Sequence, residues 1–151
     1  MKACFVKITR GLSPNPDAAV LRREVFMQEQ GFQNEFDEAD ETALHLTVYV
    51  GNEPVATARL LWPACAGKAW HIGRVAVRRP FRSQGWGALA VRKLEQQVKV
   101  RGGGTIELLA QLPAIPFYEK LGYTAFGGQE DDEGCPHRRM KKEIPPFFEK
   151  G

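Results

Sequence analysis

The apolar run Val75-Ala76-Val77 empties through Arg78-Arg79-Pro80-Phe81 into Arg82-Ser83-Gln84-Gly85-Trp86-Gly87-Ala88, where an amphipathic stretch begins. The first N–H groups of a helix have no partners within it, and its aligned peptide dipoles add about half a positive charge there, so such an end takes an anion. Glycines at 85 and 87 let the main chain turn tightly and come close to a phosphate. Arg82, at the mouth, can add a charge-assisted bond. The same glycines serve equally well as plain turn residues. No Gly-Lys-Ser/Thr follows them, which excludes a P-loop, and the dinucleotide fingerprint needs a third glycine and an acid about 20 residues on. Glu107, the acid near that distance, falls inside a strand-like run. A diphosphate held without a nucleotide-hydrolysing lysine fits the segment.

The elements that would position this loop follow from periodicity and punctuation. Ala3–Ile8 reads as an opening strand. Asn15 as N-cap, Pro16 at the first helical position and Asp17 on the dipole start a helix of about Pro16–Gln30, with Leu21 and Val25 on one face and Gly31 as its stop. Leu44–Val50 alternates apolar residues with His45, Thr47 and Tyr49, a strand with one buried face; Gly51-Asn52 turns it into a second strand, Val55–Trp62. Trp70–Val77 is a third strand, closed by Pro80. Gly85–Arg101 is helical, with Gly87, Val91, Leu94 and Val98 on one face, and Gly102-Gly103-Gly104 ends it. Thr105–Ala110 is a strand, Pro113–Leu121 a short helix stopped by Gly122, and strands follow at Tyr123–Phe126 and near Arg138–Lys142, before the tail 145–151. Early antiparallel strands followed by a strand-helix-strand unit predict an α+β fold around one sheet.

With 151 residues, 43% hydrophobic and 26% charged, the chain has the size and composition of a single domain over residues 1–151 with its own core. Twenty-one Lys and Arg against 18 Asp and Glu leave a net charge of +3, too even for a dedicated nucleic-acid module. Three cysteines, Cys4, Cys65 and Cys135, with no CxxC pair and no zinc-finger spacing, argue against a disulfide framework and against a structural zinc site. No apolar run reaches the roughly 18 residues of a membrane span, and the opening MKACFVKITR has no secretory h-region, so a cytoplasmic location is expected.

Three segments together carry a resemblance. Val75–Val77 with Arg82-Ser83-Gln84-Gly85-Trp86-Gly87, and then Ala114-Ile115-Pro116-Phe117-Tyr118-Glu119-Lys120-Leu121-Gly122-Tyr123, resemble the GNAT-family N-acetyltransferases. Arg22-Arg23-Glu24-Val25-Phe26, Glu29-Gln30-Gly31, the acidic Asp37–Asp40 stretch, His45 and Gly134-Cys135-Pro136-His137 are similar to its ElaA/YjcF-like branch. The resemblance spans about Leu21 to Met140. It implies a mixed, mostly antiparallel twisted sheet flanked by helices and splayed at an acetyl-CoA cleft. It also implies acetyl transfer to an amine on a small molecule or a protein, with acetyl-CoA as cosubstrate and no metal, nucleic acid or membrane; a monomer and a homodimer are both open.

The resemblance further implies roles. Main-chain N–H groups of Arg82, Ser83, Gln84, Gly85, Trp86, Gly87 and Ala88 hold the pyrophosphate, while Val75, Ala76 and Val77 lie along the pantetheine arm and the Val77 N–H polarises the thioester carbonyl. Gln111 matches the family's amide facing the cofactor, Lys120 reaches toward the CoA phosphates, and Tyr118 stands where the family places its general acid. A phenol with an ordinary pKa of about 10 is protonated at neutral pH and can give its proton to a departing thiolate; as a core residue beside Phe117 and Leu121, Tyr118 would have no such role. The general base is open among Glu29, His45 and His71, since Gly73 stands where some relatives carry a glutamate. Glu35–Glu41 reads as a solvated acidic loop, or as a field that draws cationic amines. A non-catalytic acyl-CoA sensor is the alternative function.

Overall fold

In the computed structural model, which describes residues 3–148, the strands are β1 (Cys4–Arg10), β2 (Leu44–Val50), β3 (Glu53–Leu61), β4 (Trp70–Val77), β5 (Gly104–Gln111), β6 (Thr124–Asp132) and β7 (Cys135–Ile144). The helices are α1 (Pro16–Arg22), α2 (Trp86–Val100) and α3 (Ile115–Lys120). Hydrogen bonding orders the sheet β1-β2-β3-β4-β5-β7-β6. The β1–β2, β2–β3, β5–β7 and β6–β7 pairs are antiparallel, and β4 and β5 are parallel, pairing Trp70 with Ile106 and His71 with Glu107. This is the α+β arrangement around one sheet that the pattern predicts, and the mixed, mostly antiparallel sheet that the resemblance implies.

The chain forms two compact units. The first takes in the chain through Leu61 together with Ile72–Leu94. Its core is built from Leu21 and Val25, from Leu46, Val48, Val55, Ala56, Ala58 and Leu60 on β2 and β3, and from Ala90, Val91 and Leu94 on α2, each at most 3% exposed. Helix α1 packs on β2 and β3. The polar positions of β2 are buried too: His45 is 1% and Thr47 0% exposed, so the strand is covered on both faces and not on one. Asn15 explains how. It starts α1 without capping it through its side chain. Fully buried, it donates from Nδ2 to the His45 carbonyl at 3.2 Å and accepts from the Thr47 hydroxyl at 2.8 Å, supplying the partners that buried polar groups need.

The helix expected to run unbroken to Gln30 changes character at Arg23, and Arg23–Glu29 is a π-helix. Its wider i→i+5 turn brings residues five apart to one side. Glu24 and Glu29 thereby meet neighbouring arginines: Arg78 Nε lies 3.0 Å from Glu24, and Arg82 Nη2 lies 2.9 Å from Glu29.

The second unit takes in Trp62–His71 and the chain from Glu95 onward, with Val98, Ile106, Leu108, Ala110, Tyr123 and Met140 in its core. β6 and β7 extend beyond the expected segments, and a register shift between Phe126 and Gln129 absorbs Gly127-Gly128. Within the run that ends α2, Gly103 has no latitude. A Cβ there would lie 2.4 Å from the Ile144 carbonyl oxygen and 2.8 Å from Pro146 N, at a left-handed φ of +74°. Gly103→Ala should cost about 2 kcal/mol or more, read as a lower urea midpoint at unchanged slope; an unchanged midpoint would contradict this packing.

Candidate active site

In the first unit the chain leaves β4 at Val77, makes a 3₁₀ turn over Arg79–Phe81, and enters α2 through Arg82-Ser83-Gln84-Gly85. Ser83 and Gly85 are left-handed, with φ of 62° and 91°. Ser83, lacking glycine's freedom, sits in a sparsely populated conformation of the kind that clusters at functional sites. The first bond into the helix runs from the Leu89 N–H to the Gly85 carbonyl, at 3.0 Å. The N–H groups of the turn before it thus lie at the head of a fifteen-residue helix, α2. Arg82, Ser83, Gln84 and Gly85 are exposed, while Gly87 is buried at the helix start. The Trp86 indole N–H donates to Gln84 Oε1 at 3.1 Å.

Arg82 is held on both sides. Its Nε donates to the Val77 carbonyl at 2.8 Å, and its Nη2 donates to both oxygens of Glu29 at 2.9 Å. Arg82's hydrogen bond, the strongest influence on Glu29, keeps that carboxyl below its ordinary range. A carboxylate so held is a weak base.

The acidic run is only partly a solvated loop, since Asp37, Glu38 and Glu41 are exposed and the other two acids are not. Glu35 and Asp40 are 4% and 5% exposed. Arg22, itself 1% exposed, bonds Asp40 through Nη1 at 2.8 Å and Glu35 through Nε at 3.1 Å. Arg59 bonds Asp37 at 2.8 Å and Asp40 at 2.9 Å, and Arg74 bonds Glu35 at 2.8 Å. Three guanidinium groups therefore answer three of the five carboxylates, Glu35, Asp37 and Asp40, which weakens the negative field proposed for attracting amines. Burial pushes the Asp40 carboxyl up, but hydrogen bonds from Arg22, from the Asp37 N–H and from Arg59 outweigh it and hold it well below the carboxylate range. Burial wins at Glu35, whose carboxyl is raised. His45 closes the network, with Nε2 2.9 Å from the Asp40 carbonyl, and burial keeps the ring neutral by lowering its pKa. Packed in this way, His45 is a structural residue.

Arg74 also has a left-handed φ of 54°. The irregularity lies one residue before Val75; Val75 and Val77 are partly exposed on β4, and Ala76 is buried between them.

The second unit holds the remaining residues. Gln111 ends β5 and passes through a 3₁₀ turn, Leu112–Ala114, into α3, which carries Tyr118 and Lys120. Lys120 is exposed. Tyr118 is 8% exposed, its ring edge-on to Phe117 and Tyr123 with centroids at 4.9 and 6.0 Å. Its hydroxyl makes no hydrogen bond among the described residues, and burial pushes its pKa up, so it stays protonated. Tyr123 is a different case: its hydroxyl donates to Glu95 at 2.7 Å, and Lys142 Nζ lies 3.1 Å from the same carboxylate. His71 is half exposed and 3.9 Å from Glu107.

The model of the Acetyltransferase (GNAT) family matches residues 12–123, and the chain belongs to this family of acetyl-CoA-using acyltransferases. It is 35% identical over 146 residues to the uncharacterized N-acetyltransferase YjcF of Bacillus subtilis, covering 95% of this chain and 100% of the relative. Escherichia coli ElaA superposes with a TM-score of 0.83 at 26% identity, over 93% of this chain and 100% of that one. An acyl-CoA N-acyltransferase from Pseudomonas aeruginosa, 24% identical, shares the fold with a TM-score of 0.81 over 93% of this chain and 99% of its own. Among the described residues no helix is long and apolar enough to cross a membrane.

Proposed function

We propose that the chain, acting as one domain in the cytoplasm, transfers the acetyl group of acetyl-CoA to an amine on a small molecule or a protein by direct attack. The observation that carries this reading is the left-handed Ser83–Gly85 turn at the head of α2, with Arg82 beside it. An anion seated there meets unpaired N–H groups, the positive end of a helix and a guanidinium.

Main-chain N–H groups from Arg82 to Ala88, Ser83, Gln84, Gly85, Trp86 and Gly87 among them, bind the diphosphate. The main chain of Val75, Ala76 and Val77 guides the pantetheine arm, and the Val77 N–H polarises the thioester carbonyl; its C=O, already bonded to Arg82, is not required for that step. Gln111 orients the cosubstrate and Lys120 supplies charge to its phosphates. Tyr118 protonates the departing sulfur, a role suited to a phenol that burial keeps in its acid form.

Calorimetric titration with CoA tests the cofactor half of the reading. Arg82→Ala should weaken CoA about ten-fold, the share of one charge-assisted bond at an exposed position. Gly85→Ala, whose Cβ meets nothing within 4 Å but whose φ of +91° disfavours it, should weaken CoA through the backbone alone. Wild-type affinity in both variants would remove the loop from the site.

A further inference from the structure

All three arginines of the turn between β4 and α2 are answered by carboxylates from the π-helical stretch. Arg78 Nε lies 3.0 Å from Glu24, Arg79 Nη2 lies 3.3 Å from Glu29, and Arg82 Nη2 lies 2.9 Å from Glu29. Every one of these residues belongs to the first unit. The segment expected to attract an anion therefore carries its own anions against it.

Arg82 is the arginine for which this matters most. Its Nε is anchored on the Val77 carbonyl at 2.8 Å, and its Nη2 is spent on both oxygens of Glu29. Nη1 has no hydrogen-bond partner among the described residues, but the charge behind it is already matched by Glu29. While the pair lasts, an anion arriving at the head of α2 meets a neutral group and a nearby carboxylate. The pair is also open to exchange. The Arg82 side chain is 39% exposed and that of Glu29 19%, and an ion pair in contact with water is weak.

We propose that Glu29 is a built-in rival of the diphosphate for Arg82, an autoinhibitory contact that holds CoA affinity down; the inference rests on the diphosphate role given to this loop above. On binding, Arg82 keeps Nε on Val77 and turns its Nη2 bonds from Glu29 to phosphate oxygens. On release, Glu29 takes the guanidinium back and hastens the departure of the spent cosubstrate. The affinity the loop shows is its intrinsic affinity reduced by the share of molecules in which Arg82 is engaged.

The test is calorimetric titration of the full chain with CoA, and with pantetheine as the probe that lacks phosphate. Glu29→Gln keeps an oxygen for Arg82 Nη2 and removes the charge. It should bind CoA about three- to five-fold tighter at low salt, mostly through a slower off-rate. The gain should close at about 1 M salt, where charges are screened within roughly 3 Å, and pantetheine should bind as to wild type. In an Arg82→Ala background the same substitution should lose most of its effect, because Glu29 acts through Arg82. The wild type gives a readout without any substitution. Saturation with CoA should raise the midpoint at which the Glu29 carboxyl titrates, followed by carbon NMR, since the bond from Arg82 is what holds it low. CoA affinity unchanged or weakened in Glu29→Gln, an equal gain for pantetheine, a gain undiminished without Arg82, or a Glu29 midpoint that CoA leaves in place overturns the proposal. Failure of the parent reading looks different, because then Arg82→Ala binds CoA as tightly as wild type.

Discussion

Tyr118→Phe should lower kcat for acetyl transfer by at least about ten-fold, toward the 10²-fold typical of a lost general acid, while leaving CoA affinity and stability unchanged. The contrast follows from the hydroxyl's place in the fold, where it bonds no described residue and burial alone raises its pKa. The edge-on contacts to Phe117 and Tyr123 are made by the ring and survive in phenylalanine. Deleting one oxygen therefore removes no packing and strands no buried partner, and a kinetic loss reports chemistry alone. The raised pKa gives a second reading of the same experiment. A phenol whose pKa lies above the ordinary value of about 10 contributes no basic limb in the neutral range, so the variant's profile should keep the wild-type shape there at a lower level. Equal kcat values would return Tyr118 to the core and leave the leaving sulfur without a proton donor.

The second large effect is on stability. Asp40→Asn should cost about 3 to 5 kcal/mol, the range for breaking a buried ion pair, and lower the melting temperature by about 10 °C for a chain of this size. Arg22 and Arg59 both lean on Asp40 and are 1% and 5% exposed, so neither finds water when the charge goes. The pH dependence has a definite sign. The Asp40 carboxyl is depressed in the fold, so its contribution is present above the unfolded value of about 3.9 and fades as pH falls through it toward the folded value. Glu35, raised by burial, runs the other way and is relieved by protonation. The difference in urea midpoint between wild type and Asp40→Asn should accordingly shrink below about pH 4. A difference that persists unchanged in acid would mean that Asp40 acts by shape rather than charge.

This network also marks where reading the chain as a string stops. Gly102 after the Val91, Leu94, Val98 stripe, and Gly51-Asn52 between two alternating runs, are local signals, and α2 and the β2–β3 hairpin lie where they point. Arg22 and Arg59 reach Asp40 across 18 and 19 residues, and Arg74 reaches Glu35, carbonyl and carboxylate alike, across 39. Seen one window at a time, Glu35–Glu41 is polar enough for solvent; only folding reveals that Glu35 and Asp40 within it are buried and matched by arginines. Asn15 is similar. Its position before Pro16 signals a cap, and it does start the helix, but a long-range bond to Thr47 takes its side chain. The π-helical turn has no composition cue, and it coincides with the ion pairs that Glu24 and Glu29 make to Arg78 and Arg82. For the candidate site, the glycine loop and the Tyr118 helix are legible as motifs, whereas the tie from Glu29 to Arg82 needed the fold.

The most direct test of the central claim is thiol release from acetyl-CoA by the full chain against polyamines, amino acids, aminoglycosides and peptides, with acetylated product followed by mass. One amine class should yield thiol and product in equal amounts, with the rate reduced in Tyr118→Phe. Tight CoA binding with no thiol above the spontaneous rate across the whole panel would contradict it, and would make the chain a receptor for acyl-CoA instead of a transferase.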